Sequence, residues 1–295
     1  MTGTSKIPIN WRSFLQDDSN KTEVCHFLAE KLSETETTST VVVTKGEDAI
    51  SNKKTPLVAV APRCHEEADT RIFVHARNAI LGGSKSLIIT ANDTDVVIIA
   101  VSVLPSLQQL GLQSMWIAFG QAASARWIPV HEIVSAVGPQ KASGILYFYA
   151  FTACDVVSAF HGKGKKSAWL TWDVCDEVSE TFTKLSHCPT EVSDDDLQKL
   201  EKFVVLMYDR SRAATGVDEA RLDLFARNQR SYDAIPPTTA ALKEHAKRAA
   251  NQAVIHLGTE SRNQQCSRLR VVSGMESHGG YVGQHFLQLR RAVRS

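Results

Sequence analysis

The sequence predicts a mixed α/β protein with a largely parallel sheet flanked by helices, followed by a C-terminal region that is almost entirely helical. Two apolar runs of strand length, at 87–90 and 114–120, alternate with helical patterns in the first half of the chain. From residue 165 onward, apolar residues recur with helical spacing. The hydrophobic content of 43% is that of a globular core. These three observations define the expected fold class.

Composition and charge limit the classes of protein to which the chain can belong. Its 295 residues suit one large domain or one domain with an appendage, and its formal charge of +1 restricts any nucleic-acid contact to a local patch. The six cysteines are scattered without a C-x-x-C pair, which is typical of a reduced, intracellular protein. No apolar signal segment is visible, and the longest apolar run, 96–104, is about half of a membrane span. We therefore expect a protein of the nucleus or cytoplasm that is neither secreted nor membrane-bound.

The first eighty residues are expected to alternate between helices and short strands. Asn20 or Thr22 is the predicted cap of a first amphipathic helix. Short strands are predicted at 40–44 and 57–60. A helix with an acidic first turn follows over 66–80, and the glycine pair after it ends that helix.

The remaining elements follow the strands at 87–90 and 114–120. Pro129 and Gly138 mark the start and the end of a short helix. The apolar and aromatic run 145–154 has the pattern of a buried helix or a buried strand. Residues 254–295, with six Arg and no Lys, are expected to be an ill-ordered tail, with a basic nucleic-acid arm as the alternative. Further helices are predicted over 165–185, 194–208, 217–228 and 238–252.

Two clusters of acidic residues are the first candidates for a functional site. Glu66, Glu67 and Asp69 open the helix predicted over 66–80, and Asp93 and Asp95 follow the strand at 87–90. Each cluster alone has an ordinary structural explanation, because acids offset the dipole of a helix start and form Asx-type turns. Together, a helix start and the carboxyl end of a strand are placed to converge on the crevice where α/β sheets bind ligands.

A third candidate segment lies about sixty residues further on, where Asp155 is followed by GKGKK at 162–166. A Walker-type phosphate loop is excluded, because Ala159 occupies the position of its first glycine. A solvated charge run at a helix start is the simple structural explanation. The functional alternative is a loop whose glycines admit a phosphate to the backbone amides while lysines supply positive charge. The side chains of Lys165 and Lys166 are expected to be exposed.

These segments, taken in order, resemble the flap endonuclease and XPG-type nucleases, a branch of the PIN-domain superfamily. The resemblance rests on Glu67-Ala68-Asp69, Asp93-Thr94-Asp95, Ala153-Cys154-Asp155 and the glycine-lysine segment at 162–166. The longer segments HEEADTRI, NDTDVVII, IPVHEIV and FTACDVVSAFHGKGKK are similar to transposon-associated metazoan PIN-like proteins. The resemblance covers about residues 5 to 250. It implies a PIN-like fold in which 145–154 is a helix that delivers Asp155, followed by a helix–two-turn–helix-like hairpin.

The resemblance implies a divalent-metal-dependent, structure-specific nuclease that acts on nucleic-acid phosphodiesters. Its catalytic and metal-binding carboxylates would be Glu67 and Asp69 on one Mg²⁺ or Mn²⁺ ion, and Asp93, Asp95 and Asp155 on the other. Zinc is disfavoured, because no ribbon spacing links the Cys–His pairs of the chain. DNA is favoured over RNA as the partner, and the implied nucleic-acid-binding residues are Gly162, Lys163, Gly164, Lys165 and Lys166.

The front of the chain departs from the family pattern. The family begins with two apolar strands, the first of which carries an Asp, and no such strand precedes residue 40. The chain is therefore expected to be N-terminally incomplete, with a PIN-like core over 1–160, a helical region over 161–253 and the tail over 254–295. The alternative function is a non-catalytic nucleic-acid-binding or protein-interaction module derived from a mobile element.

Overall fold

The computed structural model places the backbone in two compact units, Met1–Gly82 and Gly83–Ser295. The three-part division predicted from the sequence and the family resemblance, at 160 and 253, stays a prediction. The residues that the structure describes are 6, 8–62, 68–121, 125–187, 192–210, 214–228 and 234–257.

The first unit contains helices and one hairpin. Its elements are α1 (Trp11–Phe14), α2 (Asp18–Ser33), β1 (Val42–Lys45), β2 (Asp48–Ser51) and α3 (Ala68–Leu81). The carboxylate of Asp17 caps α2 by accepting hydrogen bonds from the amides of Ser19 (2.9 Å) and Asn20 (3.2 Å). The helix therefore begins before the predicted cap at Asn20 or Thr22, because an aspartate upstream already satisfies its free amides.

β1 and β2 pair as an antiparallel hairpin, to which two side chains of α3 bind. The guanidinium of Arg71 donates to the carbonyl of Glu47 (3.0 Å), and the imidazole of His75 shares a 2.8 Å hydrogen bond with the hydroxyl of Thr44. The prediction of a strand at 57–60 was wrong. That segment is a turn closed by its own i to i+3 hydrogen bond of 2.9 Å.

The second unit is built on a three-stranded sheet in the order β3 (Ser86–Ala91), β4 (Ser114–Phe119) and β5 (Arg126–Pro129). β3 and β4 are parallel and are connected through α4 (Thr94–Gln109), which confirms the strands predicted at 87–90 and 114–120. β5 runs antiparallel to β4, because the connection formed by residues 120–125 is shorter than the dozen or so residues that a parallel crossover needs. The described sheet is therefore mixed, which corrects the expectation of a largely parallel one.

Seven helices in the described residues follow the sheet. Gly138 joins the first two at a φ of 82°, a value that favours glycine, and the run 145–154 proves to be mostly helix. The helix predicted over 165–185 is divided, since one helix ends at Trp172 and the next begins at Val178. None of the described helices is long and apolar enough to cross a membrane. The helices are α5 (Val130–Val137), α6 (Pro139–Phe151), α7 (Lys165–Trp172), α8 (Val178–His187), α9 (Asp194–Tyr208), α10 (Val217–Asn228) and α11 (Thr239–Leu257).

The core of this unit is an aromatic cluster between α6, α7, α8 and α9. The fully buried ring of Phe182 lies 4.9 Å from Trp172, 5.2 Å from Phe203 and 5.5 Å from Tyr147, measured between ring centroids. Phe148 stacks on Trp172 at 4.9 Å. Aromatic pairs at these separations add about 0.5–1.5 kcal/mol each beyond the area they bury. The cluster therefore fixes α6 firmly, and the carboxyl end of α6 supports the candidate site.

Candidate functional site

The acids at 93 and 95 lie at the carboxyl end of β3, where α4 begins. Asp93 is exposed, and its carboxylate caps α4 by accepting a 2.9 Å hydrogen bond from the amide of Asp95. Asp95 is half-buried in the first turn of that helix. Asp93 therefore acts as a helix cap, which is the ordinary structural explanation for an acid at this position. The cap uses one carboxylate oxygen, and a carboxylate has two.

A tyrosine of α6 connects these acids to the rest of the site. The hydroxyl of Tyr149 donates a hydrogen bond to the carboxylate of Asp95. Burial raises the pKa of Tyr149 well above its usual value, and the charges of Asp95 and Asp93 act in the same direction, because both favour the neutral phenol. Tyr149 therefore keeps its proton and orients Asp95 from the side of α6.

The third acidic segment forms a tight turn over residues 154–157, which we call the acidic turn. The backbones of Cys154 and Val157 exchange hydrogen bonds of 3.3 and 3.2 Å, which leaves Asp155 exposed at the tip. Burial raises the pKa of the Cys154 thiol, and the charge of Asp95 adds to that rise. Asp95 is thus near enough to act electrostatically on Cys154, the residue that precedes Asp155.

The turn is entered through a strained backbone. Ala153 has a φ of 108°, a value that residues with a Cβ seldom adopt. Such conformations cost on the order of 1–3 kcal/mol and persist only where neighbouring contacts hold them. The residue directly before the Cys154–Asp155 pair is therefore held in place by its surroundings.

The expectation that Lys165 is exposed was wrong, because its side chain is half-buried. Its ammonium turns inward and donates to the carbonyl of Tyr149 at 2.9 Å, to the hydroxyl of Thr152 at 3.4 Å, and to the carbonyl of Ala153. It also lies 3.9 Å from the centroid of the Tyr149 ring. Burial lowers the pKa of Lys165 to about 8, with Cys154 and Asp95 acting in the opposite direction. The group therefore remains mainly protonated at neutral pH.

The glycine-lysine segment at 162–166 does open a helix, as predicted. Gly162 has a φ of 68°, and Gly164 is the N-cap of α7, which has no side-chain cap. A Cβ at either glycine would meet no atom within 4 Å, so the backbone there is open on its outer side. Lys166 is exposed, whereas the ammonium of Lys163 lies 5.0 Å from the ring of Tyr208. Lys166 is therefore the lysine of this segment most available to a phosphate.

The first acidic cluster stands apart from this description. Asp69 is half-buried in the first turn of α3, in the first compact unit, while Glu66 and Glu67 lie outside the described residues. Its convergence with the other acids stays a prediction. Among the residues that the structure describes, no three Asp, Glu, His or Cys side chains are grouped as metal ligands. The donor chemistry of Asp93, Asp95 and Asp155 nevertheless suits Mg²⁺ or Mn²⁺, which prefer carboxylate oxygens.

Comparison with known proteins adds no assignment. No family model matches the chain, and no curated protein and no solved structure matches it either. The functional reading therefore rests on the residues themselves. Sequence reasoning overlooked Tyr149, although the run 145–151 carries two hydroxyls, those of Tyr147 and Tyr149, among apolar side chains.

Proposed function

We propose that the chain is a PIN-like, divalent-metal-dependent nuclease that cleaves phosphodiesters of nucleic acid, with DNA favoured over RNA. The observation that supports this proposal is the proximity of Asp95 to Cys154, in the segment that carries Asp155. Asp95 hydrogen bonds to Tyr149 and acts electrostatically on Cys154, although it lies about sixty residues before Asp155 in sequence. Acids that meet from distant segments are typical of a site rather than of separate helix caps.

The described residues have distinct roles in this proposal. Asp93, Asp95 and Asp155 would hold the metal, which when bound polarises the phosphodiester and activates water. Tyr149 orients the carboxylate of Asp95 through its hydrogen bond, and the cap hydrogen bond fixes Asp93. Glu67 and Asp69 are retained as proposed ligands of a second ion on the family resemblance alone.

The nucleic-acid contact is proposed at the start of α7. Lys166 is exposed, and the backbone around Gly162 and Gly164 is open to a phosphate. Such a contact is blind to sequence and weakens as salt rises. Replacing Lys166 by Ala should flatten the log–log salt slope of duplex binding by about 0.9 if one phosphate contact is lost. The matched control is Lys202→Ala, an exposed lysine of α9 that pairs with Glu177 in the turn before α8.

A non-catalytic nucleic-acid-binding module is the second candidate. One observation favours it: in the described residues Asp93 is already used as a helix cap and Asp95 as an acceptor for Tyr149. In that function the acids stabilise the fold, and the lysine segment alone contacts nucleic acid.

Cleavage of branched and single-stranded DNA with Mg²⁺ or Mn²⁺ separates the two functions. We expect Asp155→Asn to lower the cleavage rate by roughly 100-fold or more. Loss of a residue that only orients a metal ligand already costs about 10- to 100-fold, and Asp155 is proposed as a ligand itself. Because Asp155 is exposed at the tip of the acidic turn, the fold should be unchanged. The control is Asp176→Asn, an exposed acid between α7 and α8. Metal-independent cleavage, or full activity in Asp155→Asn, would overturn the nuclease proposal, and DNA binding without cleavage would favour the module.

A further inference from the structure

Lys165 stands out among the charged groups of the second unit, because its ammonium is turned away from solvent. Three oxygen atoms accept hydrogen bonds from it, and the face of the Tyr149 ring covers it. An ammonium has three donors, so these contacts occupy its hydrogen-bonding capacity. The group therefore has no donor left for a phosphate unless the side chain leaves this place.

The three acceptors lie at a structurally demanding point. Tyr149 and Thr152 belong to the carboxyl end of α6, where backbone carbonyls lack helical partners and the helix dipole favours a cation. Ala153 is the strained residue that leads into the acidic turn. One cation thus satisfies the end of a helix and holds the carbonyl of the residue with positive φ.

The far side of the acidic turn is also tied down. The hydroxyl of Ser158 donates to Nδ1 of His245 at 3.0 Å, and Nε2 of the same ring donates to the carbonyl of Phe151 at 2.8 Å. The carbonyl can only accept, so Nε2 carries the proton and Nδ1 accepts. Burial lowers the pKa of His245, which keeps the ring neutral. The acidic turn is therefore held at both ends by side chains from distant helices.

We propose that Lys165 is a positioning residue, which holds the Ala153 carbonyl and so sets the position of the acidic turn that carries Asp155, and that it does not contact the nucleic-acid backbone. The consequence for cleavage rests on the proposed function, whereas the consequence for the acidic turn does not. Lys165 and Lys166 are neighbours in sequence, but the side chain of Lys165 faces the end of α6 and that of Lys166 faces solvent.

The same geometry predicts chemical rescue. Replacing Lys165 by Ala leaves the carbonyls of Tyr149 and Ala153 without this donor, beside an aromatic face. Carbonyl oxygens together with a ring face form a site for a small organic cation. Methylammonium in solution should therefore occupy the vacated place, and an equal concentration of sodium chloride corrects for ionic strength.

Alkylation of Cys154, followed by peptide mass spectrometry, measures the position of the turn without any need for activity. The Cys154 thiol is half-buried in the wild type. We expect Lys165→Ala to raise its alkylation rate about tenfold, as expected when strained backbone loses a supporting contact. Methylammonium should restore the slow rate. Lys166→Ala, the matched control, should leave the labelling unchanged while it weakens DNA binding.

Cleavage and binding supply the second readout. Lys165→Ala should lower kcat while the dissociation constant for DNA and its salt slope stay those of the wild type. If Lys165→Ala instead flattens the salt slope and leaves Cys154 labelling unchanged, Lys165 is a phosphate ligand and the proposal is overturned. If the wild type cleaves no DNA, the nuclease proposal fails, and Cys154 labelling with methylammonium rescue still decides the positioning role. Should Lys165→Ala not fold, Lys165→Met, which retains the apolar stem, undergoes the same labelling test, and unchanged labelling there refutes the proposal.

Discussion

The buried ammonium of Lys165 should make the stability of the protein depend on pH in a defined alkaline window. Its folded-state pKa is lowered to about 8 from 10.5, chiefly by burial, with Cys154 and Asp95 partly offsetting the shift. The unfolded chain therefore binds more protons than the folded one between these two values. The free energy of unfolding must rise with pH across that window, because stability rises wherever the unfolded state holds more protons.

The two pKa values give the size of this effect. A group with a pKa of about 8 in the folded state and 10.5 in the unfolded state raises the free energy of unfolding by about 2 kcal/mol between pH 7 and about pH 9.5. This is an upper value, because Lys165 retains partial contact with solvent, which screens the charge. Above pH 10 the raised pKa of Tyr149, caused mainly by its burial, has the opposite effect, since the unfolded tyrosine loses its proton first. Measurements should therefore stay below about pH 9.5.

Urea denaturation followed by circular dichroism at pH 7.0, 8.0, 9.0 and about 9.5 tests this reasoning. The comparison is between wild type and Lys165→Met, which retains the stem but cannot titrate. Subtracting the two curves removes the contribution of every other lysine and tyrosine. We expect the free energy of unfolding of the wild type to increase, relative to that of Lys165→Met, by up to about 2 kcal/mol as the pH rises. Parallel curves for the two proteins would show that Lys165 titrates normally and that its ammonium is not held as described.

Three further outcomes follow from the structure. Gly144→Ala should lower the free energy of unfolding, measured by urea denaturation, by up to about 2 kcal/mol. A Cβ there would lie 3.0 Å from the Cβ of Phe182, and this overpacking exceeds the gain of about 1 kcal/mol in helix propensity. A stabilised variant would contradict the packing. Burial raises the pKa of Asp196, but hydrogen bonds from Lys184 and Ser193 outweigh it and lower the pKa, so its stabilisation is lost as the pH falls through the lowered value. Asp196→Asn should lower the free energy of unfolding by about 2 kcal/mol at pH 7 and by much less in acid. An equal loss at both pH values would refute a stabilising role of the ionised carboxylate. Millimolar Mg²⁺ should raise the Tm of the wild type and not that of Asp155→Asn, since a ligand of the native state stabilises it, and an unaltered wild-type Tm would argue against a metal site.

Elements governed by local chemistry were predicted closely. The helix predicted over 194–208 is α9 residue for residue, because Ser193 and Asp196 form a capping box that the SDDD sequence announces. Gly138 ends α5 as expected, and both β3 and β4 lie where their apolar runs are. Division of the segment 165–185 into α7 and α8 was not predicted. The turn between α7 and α8 lets Trp172 and Phe182, one from each helix, pack at 4.9 Å between ring centroids, a requirement of packing rather than of propensity.

The sequence by itself therefore determined α9 with its cap, the end of α5 and the two parallel strands, since hydrogen bonds and periodicity over a few residues specify these features. Tertiary structure alone decided that Tyr149 binds Asp95 and that Lys165 faces inward while Lys166 faces solvent. The string GKGKK is compatible with either orientation. The difference lies in the end of α6, which presents unpaired carbonyls and an aromatic face more than ten residues away in sequence, and only the folded chain brings them to the lysine.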